Sequence, residues 1–252
     1  QEAVEPLCQG LLDRDAGMRR LVAETLGKLK AQEAVPALVD ACQDRHPDVR
    51  QAALVALSRL ECEELPELLL AACEDGDVQV RETAVGLLAG VENSEGLQVL
   101  VAATHDDMAQ VRETAIRSLA EIGGPEAFAA LVEARSDEDY RVSKTAVEAL
   151  GRFGEEALEP LQEALEDDGL PDQAAILGLE EVGGPAVEIL LSALGHKRLP
   201  ARRAAANALV RLYVGDELGE REQQLILDQE EIVALYADAV VGGDVERVEE
   251  EE

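Results

Sequence analysis

A period of 31 residues runs through this sequence, and it is clearest where a hexapeptide recurs unchanged. QVRETA occupies positions 79–84 and again positions 110–115. Steps of 31 residues in both directions from the valine of this hexapeptide reach an apolar anchor residue in each of five copies: Met18, Val49, Val80, Val111 and Val142. A fixed period of this length predicts stacked structural repeats, for which chain length gives no count of domains.

Each copy carries the pattern of an amphipathic helix, here called helix B. Apolar side chains at offsets 0, 4, 7, 8 and 11 from the anchor fall on one side of an α-helix. An aspartate stands five residues before the anchor in each of these copies: Asp13, Asp44, Asp75, Asp106 and Asp137. A second amphipathic segment, helix A, precedes the aspartate, as at 34–42 and 96–104. The pattern therefore predicts pairs of helices joined by an aspartate-containing turn.

Glycine and proline separate the copies, most plainly in IGGPEA (122–127) and VGGPAV (182–187). Glycine suits the end of one helix and proline the first turn of the next. Because one helix pair cannot bury its own apolar side, neighbouring pairs must stack. We predict a repeat array over 1–215, cap helices at 216–243 and an acidic tail at 244–252. The predicted copies are 1–31, 32–62, 63–93, 94–124, 125–154, 155–184 and 185–215.

The copies resemble the HEAT repeat, in the short form shared with phycobilin-lyase-like proteins. The resemblance lies in the turn aspartate, the Val-Arg that opens helix B, and the alanine and leucine of its apolar side. It is carried by DRHPDVRQAALVAL (44–57), DGDVQVRETAVGLL (75–88) and DDMAQVRETAIRSL (106–119). The resemblance covers about 2–215 and implies an all-α, right-handed α-solenoid, also called an α-α superhelix. This fold serves many roles, so the resemblance by itself assigns no function.

An arginine follows the anchor in the first four copies: Arg19, Arg50, Arg81 and Arg112. The resemblance implies that this arginine and the turn aspartate tie successive repeats together, and we interpret both as structural. The alternative is an arginine ladder that grips an anionic ligand. Ser143 and Asp172 stand at this position in copies five and six, so any such ladder is interrupted there.

The charge of the chain limits its partners. Asp and Glu number 54 against 22 Lys and Arg, which gives a net charge of −32. Such a surface repels phosphate backbones and anionic lipids, so neither nucleic acid nor membrane is expected as a direct partner. No apolar run reaches the roughly 18 residues of a membrane span, and we expect a cytoplasmic protein. The acidity has two explanations, a salty cytoplasm or a basic partner, and scarce lysine with evenly spread acids favours the first.

The sequence offers little that could perform catalysis. Its three histidines, His46, His105 and His196, all fall in or beside predicted turns. The His-Glu pairs of the di-iron hydroxylases built from similar repeats are missing, as are a glycine-rich phosphate loop and a nucleophile elbow. Four cysteines without CxxC spacing are expected to be buried thiols. We therefore predict a protein that is not an enzyme and holds no metal or cofactor.

The B helices are expected to line the concave side of the solenoid. Residues opposite their apolar side lie at offsets 2, 6 and 9 from the anchor, and we predict a protein-binding face there. Its candidate residues are Arg20, Gln51, Val55, Glu82, Glu113, Arg117, Lys144, Glu148, Gln173, Leu177, Arg203 and Asn207. This face mixes charges of both signs with small side chains, which suits a peptide or a protein. The other explanation is that the small residues only let the B helices pack tightly.

The predicted function is therefore a non-catalytic scaffold or adaptor whose partner is another protein. The chain is expected to be monomeric or part of a hetero-complex. Two alternatives stay open. One is an accessory or chaperone-like role of the phycobilin-lyase type, although the face lacks aromatic side chains that would stack on a tetrapyrrole. The other is an acidic protein that binds a basic, nucleic-acid-associated protein.

Overall fold

The structure is a computed structural model that describes residues 4–90, 94–167, 169–215, 218–230 and 233. Within these ranges the secondary structure is helical and contains no strand, which confirms the predicted all-α class. The chain divides into two compact units, Gln1–Ala130 and Leu131–Glu252.

The first unit is a stack of helical hairpins. Each hairpin pairs a short helix A with a longer helix B. The bounds are α1 (Val4–Gly10) with α2 (Ala16–Lys28), α3 (Val35–Ala41) with α4 (Pro47–Arg59), α5 (Leu65–Ala72) with α6 (Val78–Leu88), and α7 (Ser94–Ala103) with α8 (Ala109–Ile122). The B helices pack side by side in chain order, α2 on α4, α4 on α6 and α6 on α8. Contacts therefore run mainly between neighbours, as expected of a repeat array.

The second unit repeats this arrangement. The boundary between the units falls within α9 (Pro125–Ala134). The helices that follow are α10 (Tyr140–Leu150), α11 (Leu158–Glu166), α12 (Asp172–Val182), α13 (Val187–Ala193), α14 (Leu199–Val214) and α15 (Glu220–Leu227). Helix α12 packs against α10 on one side and α14 on the other, and α15 contacts α13 and α14. Much of the predicted cap and all of the predicted tail at 244–252 lie outside the described residues.

Local sequence explains where the helices end. Gly123 and Gly183 follow α8 and α12 with φ of +72° and +82°, a region that side chains other than glycine rarely adopt. Pro47 occupies the first turn of α4, where its missing N–H leaves no hydrogen bond unmade. The glycine and proline positions thus separate the helices as the sequence predicts.

The apolar side of helix B is wider than the sequence pattern indicated. Residues at offset 5 are buried in each of the first five copies, although the predicted pattern omitted them: Ala23, Leu54, Val85, Ile116 and Val147. Helix B packs both on its own helix A and on neighbouring B helices, so its apolar arc must be broad. One predicted core anchor is also wrong, because Met18 in the first hairpin is 46% exposed. No described hairpin precedes that one to cover it.

Candidate functional site

The arginine after each anchor spans two adjacent hairpins. Arg19 on α2 donates from Nε and Nη2 to the carboxylate of Asp44, both at 2.7 Å, and from Nη1 to the backbone carbonyl of Asp13 at 2.9 Å. Arg19 therefore holds its own turn through the backbone and the turn of the next hairpin through the carboxylate. This two-pronged contact fixes geometry as well as charge.

The same contact recurs in the next two hairpins. Arg50 donates to Asp75 at 2.8 and 2.6 Å and to the carbonyl of Asp44 at 2.8 Å. Arg81 donates to Asp106 at 2.8 and 2.9 Å and to the carbonyl of Asp75 at 2.9 Å. Arg112 donates from Nη1 to the carbonyl of Asp106 at 2.9 Å, which is the same backbone contact. The structure thus brings the predicted arginines and aspartates of the first unit together. The guanidinium groups of the arginines donate to carboxylates and backbone carbonyls of the protein itself.

The turn aspartates also shape their own turns. Each of them accepts the backbone N–H two residues onward at 2.8 Å; the acceptors are Asp13, Asp44, Asp75, Asp106 and Asp137. The hydrogen bond from Arg19 is the main reason that the pKa of Asp44 lies below its ordinary value. Burial would raise the pKa of Asp75, but hydrogen bonds from Arg50 and the Asp77 N–H outweigh it and lower the pKa. These carboxylates are therefore ionised at neutral pH.

The contacts that link neighbouring hairpins are different in the second unit. Ser143, at the arginine position of copy five, donates to the carbonyl of Arg135 at 2.6 Å. Arg135 itself bridges to the next hairpin, through the carbonyl of Pro160 at 3.0 Å and the carboxylate of Glu163 at 2.6 Å. A different arginine, from the end of helix A, thus links these two hairpins.

The next pair reverses the order of the charges. Asp172, at the arginine position of copy six, pairs with Arg198 in the following turn, Nε to Oδ2 at 2.9 Å. His196 stands where the earlier copies have the turn aspartate, and its Nδ1 accepts the backbone N–H of Arg198 at 3.2 Å. His196 lies in a turn as predicted, is half-buried, and also contacts the Leu165 carbonyl through Nε2 at 3.0 Å.

The twelve candidate residues of the predicted binding face lie at the surface. Arg20, Arg117, Lys144, Gln173, Leu177 and Arg203 are exposed, and Gln51, Val55, Glu82, Glu113, Glu148 and Asn207 are half-buried. Offset 9, which was also assigned to this face, is different. Three of its members, Gly27, Ala120 and Gly151, are buried, and at the two glycines an added Cβ would meet the backbone of the neighbouring helix. The other four offset-9 residues are half-buried: Ser58, Ala89, Glu180 and Val210. All the fully exposed members of the face therefore lie at offsets 2 and 6, and the glycines at offset 9 serve packing.

Alanine substitution of one buried and one exposed glycine should show which of the two positions is needed for close packing of the B helices. A Cβ on Gly27 would lie 2.7 Å from the Cα of Ala56, so we expect Gly27→Ala to lower the free energy of unfolding by about 1–3 kcal/mol. Gly86 is exposed at offset 6, with its nearest contact at 3.4 Å. Gly86→Ala should therefore raise the free energy by about 0.5–1 kcal/mol. Urea denaturation measures the free energy of unfolding of both variants. If the two substitutions change it equally and in the same direction, Gly27 is not needed for the contact between α2 and α4.

Both cations on the face of the first unit are paired with a glutamate of the same helix, and Glu82 accepts a hydrogen bond from the side chain of Gln79 at 3.2 Å. Arg20 donates to Glu24 at 2.9 Å, and Arg117 pairs with Glu113 one helical turn away. Gln51 of α4 donates to the hydroxyl of Thr83 on α6 at 2.8 Å, so adjacent B helices are also bridged across the surface. Between these helices and α8 lies a shallow hollow of about 290 Å³. This part of the face is polar and nearly neutral.

The face of the second unit contains an apolar groove between α12 and α14. Its volume is about 440 Å³. The structure brings four predicted face residues together there: Gln173, Leu177, Arg203 and Asn207. Sequence reasoning missed Leu199, Pro200 and Arg211, which also line the groove. Leu199-Pro200 at the start of a helix B was the available signal for the first two.

The thiols and carboxylates show no arrangement for reactive chemistry among the described residues. Burial raises the pKa of both Cys42 and Cys73 to about 12, so these thiols are protonated at neutral pH. Within the described ranges no three His, Cys, Asp or Glu side chains cluster as metal ligands would. None of the helices within the described residues has both the length and the apolar character of a membrane span.

Comparison with known proteins identifies the repeat. A family model described as HEAT repeats matches residues 4–89, 65–141 and 97–172. YibA from Escherichia coli is 17% identical, with a TM-score of 0.62 over 93% of this chain and 87% of that one. The complex of CpcE and CpcF of phycocyanin lyase from Nostoc is 18% identical, with a TM-score of 0.51 over 92% and 94%.

Importin beta shares the fold over a part of its own length. It is 16% identical, with a TM-score of 0.61 over 90% of this chain and 37% of that one. Among curated protein sequences, none matches this chain. At these identities the structural likenesses show a common repeat architecture and carry no further assignment.

Proposed function

The chain belongs to the HEAT-repeat family, and from this premise we propose that it is a non-catalytic scaffold that binds a peptide or another protein. The binding surface we propose is the face formed by offsets 2 and 6 of the B helices. The observation that carries the proposal is the charge of this face. Across the seven copies those offsets hold four basic and four acidic residues, whereas the whole chain has a net charge of −32. These positions hold two basic and three acidic residues in the first unit and two basic and one acidic residue in the second. Each unit therefore carries a nearly neutral surface that differs from the acidic remainder of the protein.

The polar contacts support a binding role over a catalytic one. The arginine and aspartate side chains that the structure brings together are engaged between hairpins, as in Arg50 with Asp75. The face itself presents surface side chains on packed, regular helices, which hold a binding surface more rigidly than loops do. We also propose that the protein works in a salty cytoplasm, where its many carboxylates keep it soluble.

Site-specific photo-cross-linking tests the binding face in cells of the source organism. A photoreactive amino acid replaces Val55 on α4, at offset 6, and in a matched variant replaces Glu67, which is exposed on helix A of the next hairpin. We expect a cross-linked protein of defined mass from position 55 and none from position 67, because only the first lies on the proposed face. Equal labelling at both positions, or none at position 55, would contradict the proposal.

A further inference from the structure

The groove between α12 and α14 has an exposed apolar lining. Leu177 on α12 is 48% exposed and Leu199 on α14 is 39% exposed, and Pro200 lies beside them. The two helices pack directly against each other, so the groove is a fixed feature of the second unit. Exposed leucines on a rigid surface favour burial by a partner, because removing apolar surface from water is favourable.

Arg203, beside this apolar lining, carries a positive charge that could pair with a ligand. Other cations on the face of the B helices are held by neighbouring carboxylates: Arg20 by Glu24, Arg117 by Glu113, and Lys144 by Glu148 at 3.5 Å. Arg203 is exposed and has no ion pair or hydrogen bond to any residue that the structure describes. In a chain with 54 acidic and 22 basic residues, an arginine left without a carboxylate differs from its counterparts on the same face.

A second arginine in the groove behaves differently. Arg211 donates to the carboxylate of Glu180 through Nε and through Nη2, the latter at 2.6 Å. Its charge is therefore compensated within the unit, and Arg203 supplies the groove's uncompensated positive charge. The arginine fork matches the two oxygens of a carboxylate.

We propose that this groove binds an acidic peptide segment of another protein through an apolar side chain set beside a carboxylate. The inference rests on the proposed scaffold function and specifies its partner in the second unit. Arg203 follows Leu199 by four residues on α14, so the backbone positions of the two residues are about one helical turn, roughly 6 Å, apart on the same side of the helix. A leucine flanked by aspartate or glutamate satisfies both contacts. A basic segment would leave Arg203 facing a like charge.

Fluorescence anisotropy with three labelled peptides tests the proposal on the full chain. The probe GDELLDEG combines acids with leucines, GDEGGDEG lacks the leucines, and GKRLLKRG reverses the charge. The measurements are made in about 1 M KCl, where the Debye length of about 3 Å removes nonspecific attraction of a basic peptide to the acidic surface. We expect GDELLDEG to bind at least tenfold more tightly than either control peptide. Tighter or equal binding of GKRLLKRG would overturn the proposal.

Variants of the protein locate the binding. Arg203→Glu should weaken binding of GDELLDEG by about tenfold or more, and Leu177→Ser by about fivefold. Arg59→Glu, at an exposed arginine of α4 in the first unit that lies outside the proposed face, should leave it unchanged. Unchanged binding by Arg203→Glu would overturn the proposal, provided that its melting temperature matches the parent, as expected for an exposed residue.

Other occupants of the groove give distinct results. Binding that appears only after removal of residues 244–252 would assign the groove to the chain's own acidic segment and overturn the proposal of a separate partner. A dimer that Arg203→Glu dissociates would assign it to a second copy. If the unsubstituted protein does not bind GDELLDEG but cross-linking at position 55 succeeds, only this inference is contradicted, because position 55 lies in the first unit. Absence of cross-linking would instead defeat the scaffold function.

Discussion

Replacing Arg50 with alanine is expected to lower the free energy of unfolding by about 2–3 kcal/mol. The substitution removes three hydrogen bonds, two to the carboxylate of Asp75 and one to the carbonyl of Asp44. Both partners of the ion pair are mostly buried, with side chains 18% and 15% exposed, so water replaces the lost contact poorly. Asp75 would be left as a partly buried charge without its cation, which adds to the cost.

Denaturation in urea, followed by circular dichroism, measures this effect. Arg59→Ala is the matched control, because Arg59 is exposed at the end of the same helix and should change stability by less than about 0.5 kcal/mol. Arg50→Lys keeps the charge but loses the fork, and we expect it to recover only part of the stability. If Arg50→Ala is as stable as Arg59→Ala, the arginine contributes nothing to the contact between hairpins.

The sequence was sufficient for the fold because the fold is local and repeated. Five anchor positions and their spacing predict a helix, a turn and a second helix, and stacking follows from the unburied apolar side. Offset 5 is apolar in the sequence as well, at Leu54, Val85 and Ile116. These side chains are buried because helix B packs on its own helix A and on neighbouring B helices, which requires a wider apolar side than a single helix contact does.

The candidate site was harder to predict because its contacts join different repeats. A period shows which residues are equivalent, but it does not show that Asp172 and Arg198 exchange the roles of arginine and aspartate. The groove was hard to predict for the same reason. Leu177 and Leu199 lie on different helices, and only the packing of α12 on α14 brings them together. Pairing across repeats depends on stacking geometry, which periodicity within one helix does not supply.

The melting temperature is expected to rise by about 10 °C between 0.1 M and 2 M KCl. At about 0.15 M salt the Debye length is roughly 8 Å, comparable with the distance between packed helices, so carboxylates on neighbouring hairpins repel one another. At about 1 M it is roughly 3 Å and this repulsion is largely screened. Relief of about 3–4 kcal/mol over the array would give a shift of this size for a chain of this length.

Salt also weakens ion pairs, and the structure shows which pairs are exposed to it and which are mostly buried. Exposed pairs such as Arg20 with Glu24 contribute only about 0–1 kcal/mol each. The contacts between hairpins, such as Arg50 with Asp75, are mostly buried and are screened much less. With 54 acidic residues against 22 basic ones, the repulsion removed should exceed the attraction lost. Thermal melts at several KCl concentrations, followed by circular dichroism, measure the balance.

The same melts at pH 5 separate charge screening from a general salt effect. The sequence pI is about 4.3, so the net charge is smaller at pH 5 than at pH 7 and less repulsion remains to be screened. The KCl-dependent rise should therefore shrink. A salting-out effect on apolar surface would persist at both pH values, and KCl is a weak salting-out agent compared with sulfate. A melting temperature that stays flat or falls with KCl at pH 7 would remove the support for a salty cytoplasm. The basic-partner explanation of the acidity would then be favoured, with salt-sensitive capture of a cationic protein as its own test.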